Sequence, residues 1–186
     1  MEMYFVPECY FDTVLVKSIL QVKKVNHQHG CDTVIKKMTI GKGLDDGFAV
    51  GIIDNDKKVL KYISQECIEE VRTESLVLLR HRTKKHFIIQ LVPAVEQWVL
   101  NIIEEGSIDV SDLNLPTDLL ELRRYTKYKF VSEDEDLKRL CKRLVSSNSN
   151  SMRILKLWLG YLYENHRNTK IEDMRSLINI SAKELK

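Results

Sequence analysis

The stretch Phe48-Ala49-Val50-Gly51-Ile52-Ile53-Asp54-Asn55-Asp56 decides the fold. Its apolar run, rich in β-branched side chains and without a polar break, reads as a strand buried on both faces, the habit of a parallel sheet. The carboxylates Asp54 and Asp56 fall at i and i+2 where that strand ends, at the edge where open α/β sheets bind ligands. Hard oxygen donors grouped in this way suit Mg²⁺, which takes few protein carboxylates and keeps several waters. Upstream, Met3-Tyr4-Phe5-Val6 is a shorter apolar run, and it too is followed by an acidic pair, Glu8 and Asp12.

Working outward, residues 3–7 read as a first strand. Residues 12–25 read as a helix carrying Val14, Leu15, Ile19, Leu20 and Val22 at mixed i+3/i+4 spacing. Residues 30–42 predict a second helix, with Asp32 or Thr33 as its cap and Gly41 or Gly43 as its stop. Residues 59–70 have no decisive period, and a short helix is one reading of them. Leu76 to Arg80 and His86 to Val92 read as strands joined by the short polar link 82–85, which fits an antiparallel hairpin. Pro93 opens a helix that runs to about Glu105, and Gly106 ends it.

After Gly106 the character changes. Residues 107–116 are loop-like, Thr117 caps a short helix to Arg124, and Ser132-Glu133-Asp134-Glu135 has the form of a capping box. The Ser/Asn run 146–151 breaks the chain before a strongly helical segment, Met152 to Asn165, and a last helix over Ile171 to Ile180. The expectation is an α/β domain over residues 1–106 followed by an all-helical C-terminal appendage over residues 107–186.

The chain has 186 residues, 44% hydrophobic and 30% charged, ordinary for a soluble globular protein and enough to bury a core. A net charge of +2 gives no global signature of a nucleic-acid binder. The local basic runs Lys23-Lys24, Arg80-His81-Arg82 with Lys84-Lys85, and Arg123-Arg124 read as solvated faces before phosphate patches. Cysteines at 9, 31, 67 and 141 form no metal-binding spacing, and four scattered thiols suit a reducing, cytoplasmic setting. His27-Gln28-His29 is a poor chelator on a polar connection. No apolar stretch is long enough to span a membrane, and the N-terminal residues lack the pattern of a signal peptide.

Val6-Pro7-Glu8-Cys9-Tyr10-Phe11-Asp12, after a strand and before a helix, resembles the first motif of the Toprim domain, the metal-binding fold of primases, topoisomerases and OLD-family nucleases. In that fold the first strand ends in a Glu, and a DxD pair ends a later parallel strand. Glu8-Cys9-Tyr10-Phe11-Asp12 is similar to the Glu-Gly-Tyr-hydrophobic-Asp run of primases, with Cys9 in place of the glycine. Asp54-Asn55-Asp56 matches the DxD, and its distance of 46 residues from Glu8 leaves room for helix, strand and helix. Glu96 and Trp98 resemble the Glu-x-Trp helix of small bacterial Toprim-like proteins, although a charge at a helix N-terminus and a core tryptophan explain them as well.

The resemblance implies Mg²⁺ (or Mn²⁺) held by Glu8, Asp54 and Asp56. It implies Glu8 and Asp12 as the catalytic acids, Glu96 in support, and phosphodiesters of nucleic acid as substrate. Lys57, Lys58 and Lys42 of the Gly41-Lys42-Gly43 loop are weaker candidates for phosphate contact. The alternative is a non-catalytic module that keeps the fold and works through a protein partner, or through self-association, by its helical C-terminal region. Haloacid-dehalogenase chemistry fits poorly, because Lys57-Lys58 follow the DxD and another strand precedes it. No Ser or Cys sits on a glycine-flanked nucleophile elbow.

Overall fold

The computed structural model describes residues 4–55, 60–128 and 133–183. The chain is α/β, built on a five-stranded mixed sheet of order β1-β2-β5-β4-β3. β1 (Phe5–Pro7), β2 (Phe48–Asp54) and β5 (Lys85–Leu91) run parallel, while β4 (Leu76–His81) and β3 (Cys67–Arg72) continue it antiparallel. β2 is the central parallel strand, paired on both sides, and its residues from Phe48 to Ile53 are all buried. That is the environment its apolar run anticipates.

The pleat divides the core. Phe5, Val50, Ile52, Leu78, Phe87 and Ile89 face one side, and Val6, Ala49, Ile53, Val77, Leu79 and Ile88 face the other. α2 (Cys31–Ile40) covers the second side with Val34, Ile35 and Met38. A Cβ on Gly51 would stand 2.9 Å from Met38 Sδ and 3.2 Å from Val34 Cγ1, so the missing side chain lets this helix lie close to β2.

The first side is covered by α1 (Tyr10–Leu20) and α3 (Val95–Glu105) together with helices from beyond Gly106. α4 (Leu119–Tyr125) and α5 (Glu135–Ser146) pack against α3, and α5 and α6 (Asn150–Asn165) against α1. α6 buries Trp158 completely, and its indole N–H donates to the Met174 carbonyl of α7 (Ile171–Lys183) at 3.2 Å. Trp158 is thus core, with its polar atom satisfied.

Several local expectations change in the fold. α1 ends at Leu20, not near Val25, because Gln21 takes a left-handed turn (φ 55°) that sends the chain back along β1. Asn26 and Gln28 then donate backbone N–H groups to the Phe5 and Pro7 carbonyls, at 2.9 and 3.0 Å, and cover the open edge of that strand. α2 is preceded by Gly30 (φ 82°), not capped by Asp32 or Thr33; the Thr33 hydroxyl donates to the Gly30 carbonyl instead. Residues 59–70 hold a π-turn, Tyr62–Glu66, and then edge strand β3, whose mixed polar sequence shows no alternation. Asp118, not Thr117, caps α4, and Asp134 caps α5; Ser132 lies outside the described residues.

An ion cluster ties the last helix to the sheet. The Glu70 carboxylate on β3 is almost fully buried, accepts from Arg80 Nε at 2.7 Å, and pairs with Arg175 of α7 on its other oxygen. Removing it leaves two guanidinium groups without their shared carboxylate. Glu70→Ala is expected to cost about 2 kcal/mol, the scale of charge-assisted hydrogen bonds, whereas Arg175→Ala, at a half-exposed group, costs under about 1 kcal/mol. Urea denaturation of the two variants checks the order, and equal losses would contradict it.

Candidate acidic site at the carboxyl edge of the sheet

The parallel register aligns Pro7 with Ile52, so the residues that follow each strand emerge side by side. The Glu8 N–H donates to the Ile52 carbonyl at 3.0 Å, and the Glu8 carboxylate returns to accept the Asp54 N–H, also at 3.0 Å. Two acids remote in sequence are thereby locked together at the end of adjacent strands. Asp54 reaches further: its Oδ1 accepts the Val95 N–H at 2.8 Å, at the first turn of α3. The positive end of a helix favours a carboxylate there.

Asp12 closes the group from beneath. It sits in the first turn of α1 as half of a capping box, its Oδ2 accepting the Cys9 N–H at 3.2 Å while Cys9 Sγ accepts the Asp12 N–H at 3.3 Å. The side chain is 1% exposed, and Oδ1 has no hydrogen-bond partner. Burial, then the charge of Asp54, and then that of Glu8 hold the Asp12 carboxyl well above the usual carboxylate range; the hydrogen bonds to Cys9 only partly oppose this. Burial and the neighbouring Asp12 likewise push the Cys9 thiol up, which makes it a poor nucleophile.

Beside this turn stands an aromatic group that sequence reasoning set apart from the acids. Tyr10 stacks on His27 with centroids 4.3 Å apart, and its hydroxyl lies 3.2 Å from His29 Nε2. Thr13 Oγ1 donates to the Cys9 carbonyl at 2.8 Å and sits 2.9 Å from His27 Nδ1. The buried His27 Nε2 has no hydrogen-bond partner. The His-x-His pattern was visible in sequence, but its return to the first acidic turn depends on residues 26–28 lying along β1.

The remaining candidates are scattered. Glu96 does not face the acids: its carboxylate accepts the Thr126 hydroxyl at 2.6 Å and anchors the end of α4. Lys42 lies at the opposite, amino edge of the sheet, lining a cavity with Tyr4, Phe48 and Arg167. Asp56, Lys57 and Lys58 fall outside the described residues. Among the described residues no three His, Cys, Asp or Glu side chains are arranged to hold a metal ion, and no helix is long and apolar enough to cross a membrane. Comparison of the chain with protein-family models, with curated proteins and with solved structures finds no match.

The raised Asp12 carboxyl has a consequence for stability. In the unfolded chain this group titrates near pH ~3.9, and in the fold it titrates higher. The folded state therefore loses stability as pH rises from about 4 through the folded value, and does not recover it above. Asp12→Asn, which keeps an acceptor for the Cys9 N–H, is expected to melt at a higher temperature than wild type at pH 7, with the difference closing as pH falls below about 4. A gap that does not change with pH would show that the charge of Asp12 is not what costs the stability.

Proposed function

We propose that this chain is a Toprim-like protein that binds Mg²⁺ (or Mn²⁺) at the carboxyl edge of β1 and β2 and acts on phosphodiesters of nucleic acid in the cytoplasm. In this reading the helices after Gly106 are an addition laid over the α1 side of a Toprim-like α/β unit. The observation that carries it is the meeting of Glu8, Asp54 and the buried Asp12, with one Asp12 oxygen lacking any partner. Three carboxyl groups so placed repel one another, and a divalent cation is the natural relief of that repulsion. Between Glu8 and Asp54 the chain forms two helices joined by an extended segment along β1, in place of the helix, strand and helix for which the spacing leaves room.

Glu8 and Asp54, with Asp56, would hold the ion. A bound Mg²⁺ supplies charge neutralisation and orientation at a phosphoryl group. Glu8 is the proton-moving carboxylate, presented on a turn fixed by its own backbone bond to Ile52 and beside the Asp54 N–H. Asp12, whose carboxyl burial and the neighbouring acids hold above the usual carboxylate range, lies against the pair as its buried third member.

A second reading, a binding module without turnover that works through a protein partner or self-association of the helical region, is favoured by a specific feature. Asp54 Oδ1 and Glu96 Oε1 are both committed to structural hydrogen bonds that orient α3 and α4.

Calorimetric titration with Mg²⁺ and Mn²⁺ separates these outcomes. Wild type is expected to bind, Asp54→Asn to lose binding at least about tenfold, equivalent to ~1.4 kcal/mol, and Glu8→Gln both to bind metal more weakly and to lose cleavage of labelled oligonucleotides even at saturating metal. Absence of binding by wild type at millimolar metal would remove the metal site and leave the module reading. Binding without cleavage would remove only the catalytic claim.

A further inference from the structure

The carboxyl edge holds the acids, and the opposite edge of the same sheet holds the positive charge. Two open cavities adjoin there. The first, of about 510 Å³, is bounded by Lys42 on the loop leading into β2, by Tyr4 and Phe48, and by His166 and Arg167 after α6. The second, of about 400 Å³, is bounded by Arg82 and Lys85 at the β4–β5 turn and by Lys170 ahead of α7. They are contiguous: Phe48 is paired in register with Lys85, its ring lies 6.0 Å from that of Phe87 in the second cavity, and Arg167 and Asn168 run directly into Thr169 and Lys170.

Charge along this groove is one-sided. Arg80 and Lys84 are neutralised by Glu70 and Asp45. Lys42, Arg82, Lys85, Arg167 and Lys170 make no ion pair among the described residues, and all five are exposed. Glu164 and Glu172 are the acids on its walls. A chain whose whole formal charge is +2 thus gathers five unpaired cations on one edge, from three separate segments of sequence. The first cavity adds a wall of rings: Tyr4 and Phe48 meet edge to face at 5.3 Å, and the Tyr4 hydroxyl is hydrogen-bonded to His166, which itself has a left-handed backbone (φ 47°). A row of cations that can track a phosphodiester backbone along a groove is the electrostatic half of the way proteins hold single strands.

We infer that the amino-edge groove, from Lys42 and Arg167 to Lys85 and Lys170, binds the phosphodiester backbone of a single-stranded polynucleotide. It is a second surface, separated from the acids by the length of β2, about 20 Å at the usual rise per strand residue. The choice of a polynucleotide over another polyanion rests on the function proposed above, but the binding itself uses neither the acids nor a metal.

The test is fluorescence anisotropy with a labelled oligothymidylate of about 12 nucleotides, within the usual range of single-strand sites, in EDTA so that the carboxyl edge is silent. Wild type is expected to bind. Lys42→Glu/Arg167→Glu and Lys85→Glu/Lys170→Glu, all at exposed positions, should each weaken binding by roughly tenfold and lower the slope of log affinity against log salt by about 1.4, two phosphates at ~0.7 each. Asp54→Asn should bind as wild type does.

No binding by wild type, or binding unaffected by both double reversals, overturns the inference. So does tighter binding of a duplex of the same length, or equal competition by inorganic triphosphate, which would mark a small-polyanion site. Cleavage in Mg²⁺ without binding in EDTA would sink the groove and leave the proposed function standing. Binding in EDTA with neither metal uptake nor cleavage would do the reverse.

Discussion

The parallel pairing of β1 with β2 is the constraint from which the rest of the molecule follows. Phe5, Val6 and Pro7 align with Val50, Gly51 and Ile52, and one residue later the chain turns at Glu8 with its N–H bound to the Ile52 carbonyl. A shift by one residue would turn Phe5 and Val6 to the wrong faces of the sheet, exchanging a large ring for a smaller side chain in two packed layers. Register and core composition therefore enforce one another. The carboxylate bond from Glu8 to the Asp54 N–H is a consequence of that register, and it brings together acids that lie far apart along the chain.

The two sides of the sheet are covered in different ways. α2 lies close over Gly51, where the absence of a Cβ removes the obstacle between Val34, Met38 and the strand. The other side is thicker, because α1 is itself overlaid by α5 and α6 and the apolar residues of all three belong to a single cluster. Asp12 belongs to this buried layer through α1, which is why its carboxyl is deprived of water while two other acids stand next to it. The same packing that stabilises the helical segment thus sets the electrostatics of the acidic turn.

Charge is separated along the strands. Acids collect where the parallel strands end and α3 begins, and unpaired cations collect where those strands start. An almost neutral chain in this way carries charges of opposite sign at the two ends of its parallel strands. Balanced composition conceals such an arrangement, since only the fold decides which charges become neighbours.

Sequence by itself determined the elements whose physics is local. The unbroken apolar run of β2 admits little but a central strand, Gly106 stops α3, and the amphipathic and apolar patterns of α5 and α6 are helical wherever they pack. The placement of Glu8, Asp12 and Asp54 was legible too, because each is a polar residue at the end or start of an apolar element. What only the tertiary structure decided is how those elements meet. Edge strand β3, polar and held by pairing with β4, carried no periodic signal. Glu96 turned to Thr126 because α4 docks on α3, and Lys42 came to Arg167 because the end of α6 reaches the first turn of the sheet. These are long-range contacts between groups whose local sequence is indifferent to them, and their partners are selected by the closing of a common core.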